Sequence, residues 1–437
     1  MAVPDTAGAL VAEPPNGALP PGAAAGPAPE RRASRQFLWL SLIASFGAQL
    51  AYVTPVVLSL AIRVEDLTPG REQNLGYLTG IGAVVALLAG PVYGQLSDRT
   101  RSRFGRRRPW ILGAALAGMP ALLVMAFAPN VLVLGVGWVL AMATWGQVGV
   151  LIGMSHADWL GESQRGKVSG IAGFLAALGP IVGSVLAGAV SRNDLLLFLI
   201  PGLLGLVLTI PFVLFFNDTD SRNQVTDTPL SLRALVSSYR FSFTRERDFS
   251  INWFVRFFFT AGIYLATTFT SFYVAQLLGV PVADAGSTLA ISGGVGVLAM
   301  IVGALGGGWL SDRVGRRKPV LLAAAAFFLA GMILVVLADG LPLFYAGMAL
   351  MNLGIGVFGS ADTALMLDVL PDREGAGRYV GMTQVALQLA HAGAPLIAPV
   401  FLAIGSGADK NYDALYLAAG LFAVLGALLA LPIRSAR

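Results

Sequence analysis

Apolar runs long enough to cross a bilayer alternate with short polar stretches along this chain, twelve times over. A helix needs about 20 apolar residues to cross roughly 30 Å of hydrocarbon. By that measure the first half carries spans near residues 37–62, 75–97, 109–128, 131–157, 168–190 and 195–216. The second carries them near 250–277, 285–310, 319–338, 341–367, 378–405 and 412–433. Pro55, Pro91, Pro180, Pro395 and Pro399 fall inside these runs. In water they would break a helix, whereas in a membrane bundle neighbouring helices re-satisfy the freed backbone groups. The pattern predicts an all-α integral membrane protein of twelve transmembrane helices.

The polar interruptions set the domain organisation. Residues 1–35 are rich in Pro, Ala and Gly without a periodic apolar face, and read as a disordered tail. This tail has no basic region leading into an apolar core, so it does not read as a cleavable signal peptide. Residues 217–249 form the one long polar linker, with a short surface helix expected over Leu232 to Phe243. The linker separates a six-helix half at 36–216 from another at 250–437.

Composition excludes the soluble classes. The 437 residues are 56% hydrophobic and 12% charged, about half the charged share of a soluble domain. There is no cysteine, which removes disulfides, thiolate metal sites and thiol nucleophiles. The net charge of +5 does not indicate nucleic acid, because the basic residues sit between apolar runs instead of on one face. Loops after spans 2, 4, 6, 8 and 10, with both tails, hold nearly all of them. The opposite loops hold only Arg63, Arg71, Arg192 and Lys410. Basic loops stay on the cytoplasmic side, so both termini are expected in the cytoplasm of a multi-pass protein of the plasma (inner) membrane.

One basic loop is more than an anchor, because its pattern recurs. Gly94-Gln95-Leu96-Ser97-Asp98-Arg99, followed by Gly105-Arg106-Arg107-Arg108-Pro109, returns as Gly308-Trp309-Leu310-Ser311-Asp312-Arg313-Val314-Gly315-Arg316-Arg317-Lys318-Pro319. The first copy carries four extra residues before its Gly-Arg-Arg. Asp158, ahead of Arg165, Lys167 and Gly170, is echoed by Asp368, ahead of Arg378 and Gly381. Two parallel six-helix halves related about the membrane normal are a known transporter architecture.

The doubled G-x-L-S-D-R…G-R-R-[RK]-P loop resembles the signature loop of the major facilitator superfamily, from about residue 36 to the end. The long first loop, SDRTRSRFGRRRPW, is similar to that of the sucrose-transporter and glycoside–pentoside–hexuronide branch. So are Gln49, Leu50, Thr54 and Pro55 in GAQLAYVTPVV, and the Ala157-Asp158 pair. The resemblance implies the major facilitator fold, with two pseudo-symmetric halves. The chain departs from that branch in having no ionisable residue inside spans 2 and 5, which turns the expectation from sodium towards the proton.

Asp98 stands where it can accept charge-assisted hydrogen bonds from arginine and face a helix N-terminus. Asp98, Arg99 and Arg106, with Asp312, Arg313 and Arg316, are therefore expected to form a conformational latch joined by Asp158 and Asp368; the alternative is topological anchoring alone. Ionisable groups inside spans are costly and functional by default. Arg256 and Asp362 lie at matching depth and are expected to pair, as a proton-coupling switch or as a structural bridge. On span 11, Gln384, Gln388 and His391 form a polar stripe able to bind sugar hydroxyls or a neighbouring helix. Gln49, Tyr52 and Thr54 precede the bend expected at Pro55, and Gln147, Tyr264 and Asn352 complete the expected lining.

These residues suit a secondary transporter, a proton-coupled carrier of a sugar or glycoside working as a monomer in the lipid bilayer. The alternative is an exporter of amphipathic organic compounds or drugs. The chain has no phosphate-binding Gly-x-x-x-x-Gly-Lys-Ser/Thr loop, no metal-ligand cluster and no nucleophile constellation. Neither cofactor nor enzymatic activity is expected.

Overall fold

The computed structural model describes residues 33–216, 218–222, 246–370, 376–405 and 410–433. Most of the N-terminal tail and the surface helix expected over 232–243 lie outside the described residues. Within them, twelve helices are long and apolar enough to span a membrane: α1 (Arg35–Leu67), α2 (Gln73–Asp98), α3 (Arg108–Ala126), α4 (Val131–Trp159), α5 (Glu162–Ala189) and α6 (Asp194–Phe215) in the first half. The second half has α7 (Arg247–Thr268), α8 (Gly286–Val314), α9 (Arg317–Val336), α10 (Leu341–Asp368), α11 (Ala376–Leu402) and α12 (Tyr412–Leu429). Asn130, Asn193 and Asn411 open α4, α6 and α12, each accepting a hydrogen bond from the backbone N–H three residues on. Such caps replace the carbonyls that a first helical turn lacks.

Several helices begin before their apolar runs. α5 starts at Glu162, α7 at Arg247 inside the stretch read as linker, and α11 at Ala376. Their first turns are polar, so hydropathy registers only the part suited to hydrocarbon.

The halves repeat in their irregularities too. At Pro55 α1 turns into a five-residue π-helical segment, where the Leu60 N–H reaches back to the Pro55 carbonyl. Pro55 has no N–H to give the preceding turn, and a π-bulge absorbs the mismatch. α7 breaks at Phe269 and resumes as Thr270–Leu278. Pro55 and Phe269 are as far apart in sequence as Asp98 and Asp312.

Between helices in lipid there is no hydrophobic drive, so small residues that let backbones approach carry the packing. Trp138 and Trp145 are fully buried, each seated on a glycine of a neighbouring helix. A Cβ on Gly82 would lie 2.1 Å from the Trp138 indole nitrogen, and one on Gly118 would lie 2.3 Å from Trp145 Cδ1. These tryptophans are packing residues.

The two halves touch along α2–α11 and α5–α8. A Cβ on Gly76 would lie 2.4 Å from the Pro395 carbonyl oxygen, and one on Gly286 would lie 2.8 Å from Gly188 Cα. These contacts sit at the end remote from the arginine loops. Towards the arginine-rich end, Gly166, Gly170 and Gly173 of α5 and Gly381 of α11 have no described residue within 4 Å of a Cβ position. Among the described residues the halves meet at one end and part towards the other.

Candidate functional site

At the arginine-rich end the loop glycine of each motif copy adopts positive φ, +84° at Gly105 and +63° at Gly315. A side chain is strained there, which accounts for glycine in both copies. The turn at Gly105 brings the following arginines back over the end of α2. Arg107 Nη2 lies 2.7 Å from Asp98 Oδ1 and its Nε 3.2 Å from Asp158 Oδ2. It also donates to Ser97 Oγ. Arg106 reaches the same carboxylates, Nη2 at 2.7 Å from Asp158 Oδ1 and Nη1 at 3.4 Å from Asp98. Arg107 is buried at 5% exposure, so its charge is compensated where water is scarce, whereas Arg106 is about a third exposed.

The second half repeats the clamp. Arg317 Nη1 donates to Ser311 Oγ at 2.6 Å and Asp312 Oδ1 at 3.1 Å, and its Nε lies 3.4 Å from Asp368 Oδ2. Serine, two aspartates and one arginine thus join α2, α3 and α4, and again α8, α9 and α10. Among the described residues each clamp ties a half to itself.

The central guanidiniums are Arg107 and Arg317, one residue beyond the Arg106 and Arg316 singled out from sequence. Arg313 lies over the Trp309 ring, 5.1 Å from its centroid, and Arg316 is exposed at the head of α9. Arg99 caps the end of α2. The available signal was the second arginine of each G-R-R, two residues before the proline in both copies.

The segment after α6 laces the first clamp and carried no recognisable sequence signal. Asp218 accepts from the Arg107 backbone N–H at 3.2 Å. Ser221 Oγ donates to the Thr100 carbonyl at 2.7 Å and accepts from the Ser102 N–H at 3.0 Å. A Cβ on Gly105 would overlap the Asp218 carboxylate.

Deeper in the second half, Arg256 Nη2 of α7 lies 2.7 Å from Asp362 Oδ2 of α10. The pair is 7% and 5% exposed. Among the described residues it leaves Arg256 Nε and Asp362 Oδ1 without partners, and both amide atoms of buried Asn252, one turn earlier on α7, are likewise unpartnered. Buried polar atoms in this state call for water or a ligand.

On α11, Gln384, Gln388 and His391 share one face with Pro395. The outer end of that face is sealed by the Pro395 carbonyl on Gly76, whereas Gln384 and Gln388 are exposed. His391 stacks on Tyr264 of α7, with centroids 4.2 Å apart and planes 17° from parallel. Tyr52 of α1 lies within electrostatic reach of Tyr264 from the other half. Tyr264 and His391 are brought together below the closed end.

The other expected lining residues serve helix contacts. Gln147 is fully buried and donates to the Ala86 carbonyl of α2 at 3.3 Å and to Met142 at 3.1 Å. Asn352 donates to Met348 and packs on Gly296 of α8. Gln49 donates to the Ala176 carbonyl of α5 at 3.2 Å. Thr54 is buried against Gly183, its hydroxyl unpartnered. Sequence places these side chains on the right helices but cannot set their rotation. Among the described residues no three His, Asp or Glu side chains gather as a metal site.

Two repeated six-helix halves that meet at one end have the architecture of a multi-pass membrane transporter. The sequence profile of the Major Facilitator Superfamily matches residues 37–307 and 295–437, and the chain belongs to that family. Among curated relatives, the General alpha-glucoside permease of Schizosaccharomyces pombe is 34% identical over 87 residues, 20% of this chain and 14% of that protein. Proton-associated sugar transporter A of Homo sapiens is 31% identical over 123 residues, 27% of this chain and 15% of that protein. The matched stretches thus span a small part of either relative. The solved structure of the nucleoside transporter NupG superposes with a TM-score of 0.71 at 12% identity, covering 91% of this chain and 98% of that one; this likeness concerns the fold.

Proposed function

We propose that this protein is a secondary active transporter that carries a sugar or glycoside with protons by alternating access. The arginine-rich end is its cytoplasmic side, in the plasma (inner) membrane. The single observation behind the substrate class is the Tyr264–His391 stack, continued by exposed Gln388 and Gln384. Aromatic faces with amide and imidazole edges suit the alternating apolar faces and hydroxyl edges of a sugar ring. The names of the partial relatives, a glucoside permease and a proton-associated sugar transporter, point the same way. The buried Arg256–Asp362 pair is the proton-coupling element: protonation of the carboxylate would release the arginine.

The test is counterflow in proteoliposomes against disaccharides, glycosides and cationic dyes. Saturable exchange of a sugar or glycoside, accelerated by an inward proton gradient, is the expected result. Dye movement without any sugar exchange would replace this reading with export of amphipathic compounds. Sugar exchange indifferent to the proton gradient would retain the substrate class and remove the coupling.

A further inference from the structure

A groove of about 490 Å³ opens between the first turns of α1 and α5 at the arginine-rich end. Its floor is apolar, built by Trp39 and Leu42 of α1 with Ile171 of α5, and its rim carries Arg35 and Lys167. At 3.6 residues per turn Trp39 stands on the far side of α1 from Ser41, which is buried in the bundle against His156 of α4. Trp39 is 60% exposed and its neighbour Ile43 is 41% exposed, while Phe37 on another face is buried against Trp159 and Phe212. The groove therefore belongs to the outer flank of the bundle, where the solvent is lipid, and not to the space between the halves.

Among the described residues its charge is one-signed. No ion pair joins Arg35 or Lys167 to a carboxylate among the described residues. Arg35 is the first residue of α1 and Lys167 lies in the second turn of α5. Both cations therefore stand where a spanning helix meets the headgroup region, and Trp39 one turn deeper is where interfacial aromatic rings collect. Basic pockets between transmembrane helices suit anionic headgroups, and a polar–aromatic–aliphatic gradient matches headgroup, glycerol and acyl chain in order. Gln164 hydrogen-bonds the Ala33 backbone in both directions, at 2.8 Å and 3.0 Å, and so holds the two walls together.

We propose that this groove binds one anionic phospholipid of the surrounding leaflet, its phosphate between Arg35 and Lys167 and one acyl chain along Trp39, Leu42 and Ile171. The site is independent of the transported substrate and of the proton coupling. Two cations near an anionic headgroup favour it over a zwitterionic one by roughly tenfold.

Trp39 supplies the probe. The full chain is placed in liposomes doped with phosphatidylglycerol or phosphatidylcholine carrying brominated acyl chains, which quench tryptophan at contact, and the Trp39→Phe signal is subtracted. Quenching of Trp39 should reach its midpoint at a mole fraction of phosphatidylglycerol about tenfold below that of phosphatidylcholine. Arg35→Gln with Lys167→Gln should equalise the two lipids, and Arg35→Lys with Lys167→Arg should keep the preference. Both side chains are exposed, so the melting temperature should be unchanged. Equal quenching by both lipids in the unsubstituted protein would overturn the proposal, as would a preference that survives loss of both charges. Relief of quenching by millimolar inorganic phosphate would reduce the site to one for a free anion and overturn it equally.

Discussion

Arg256 and Asp362 meet 2.7 Å apart between α7 and α10, nearly sealed from solvent, each with one polar atom left over. Breaking a buried pair by removing one partner costs about 3–5 kcal/mol, because the remaining charge is uncompensated. Arg256→Gln or Asp362→Asn alone should depress folded yield and transport strongly, and the double substitution should restore the melting temperature. Flux then separates the roles. A double variant that exchanges substrate but no longer accumulates it identifies the pair as the coupling element. Ordinary accumulation identifies a structural bridge, and additive losses would mean that the two side chains act independently.

Arg107 and Arg106 share the same two carboxylates, but only Arg107 is buried and bonded to Ser97 as well. Arg107→Gln should slow transport several-fold more than Arg106→Gln, with Asp98→Asn between them. Substrate affinity at equilibrium should change little in all three, since the clamp lies at the rim and the aromatic cluster lies deeper. A variant in which affinity and turnover fall together would place the clamp in the binding site.

At the closed end, Tyr412 hydroxyl donates to Glu72 across the two halves. Burial, with the neighbouring Glu65 carboxylate, pushes the Glu72 carboxyl up to about 7 against the opposing pull of Lys410. In an open arrangement that places Glu72 in water, its value returns towards 4.5. Closure then takes up a proton between those values, so the closed end gains stability as pH falls from about 7 towards 4.5 and gains nothing further beyond either limit. Double electron–electron resonance between spin labels on the α1–α2 and α11–α12 loops should show the closed distance growing more populated over that window. Glu72→Gln should flatten the profile. A profile unchanged by Glu72→Gln would assign the pH response to another group.

Gly76 packs on the Pro395 carbonyl so closely that a Cβ would stand 2.4 Å from it, a contact with backbone that no rotamer relieves. Gly76→Ala should therefore disfavour this closed-end arrangement specifically. The chain has no cysteine, so Gln388→Cys provides a labelling site on an exposed face with no background. Its reaction with an impermeant maleimide from the arginine-rich side should slow several-fold when Gly76→Ala is added. An unchanged rate would show that the α2–α11 contact does not control access to α11.

Much of this arrangement was legible in the chain. The twelve spans and their order follow from hydropathy, because burial in lipid is decided residue by residue over a window of one helix length. The two halves follow from the repeated loop and from Asp158 and Asp368, whose spacing carries the same four-residue insertion. Even the pairing of Arg256 with Asp362 is a statement about depth, and depth is counted along each helix.

Rotation and approach belong to the tertiary structure. Several of these helices are apolar almost all round, so no polar stripe tells which side faces a partner. That is why Gln147, read as lining, is buried against Ala86, while Gln388 is exposed. It is also why the clamp centres on Arg107 and Arg317 instead of the arginine before each: a turn through positive φ at Gly105 and Gly315 sets which side chain points back over the helix end. The lacing by Asp218 and Ser221, the Glu72–Tyr412 contact and the groove between α1 and α5 each join residues far apart in sequence. Local pattern determined what enters the membrane and in which order; contact between distant helices, set by where small residues let backbones meet, decided which of those polar groups face one another.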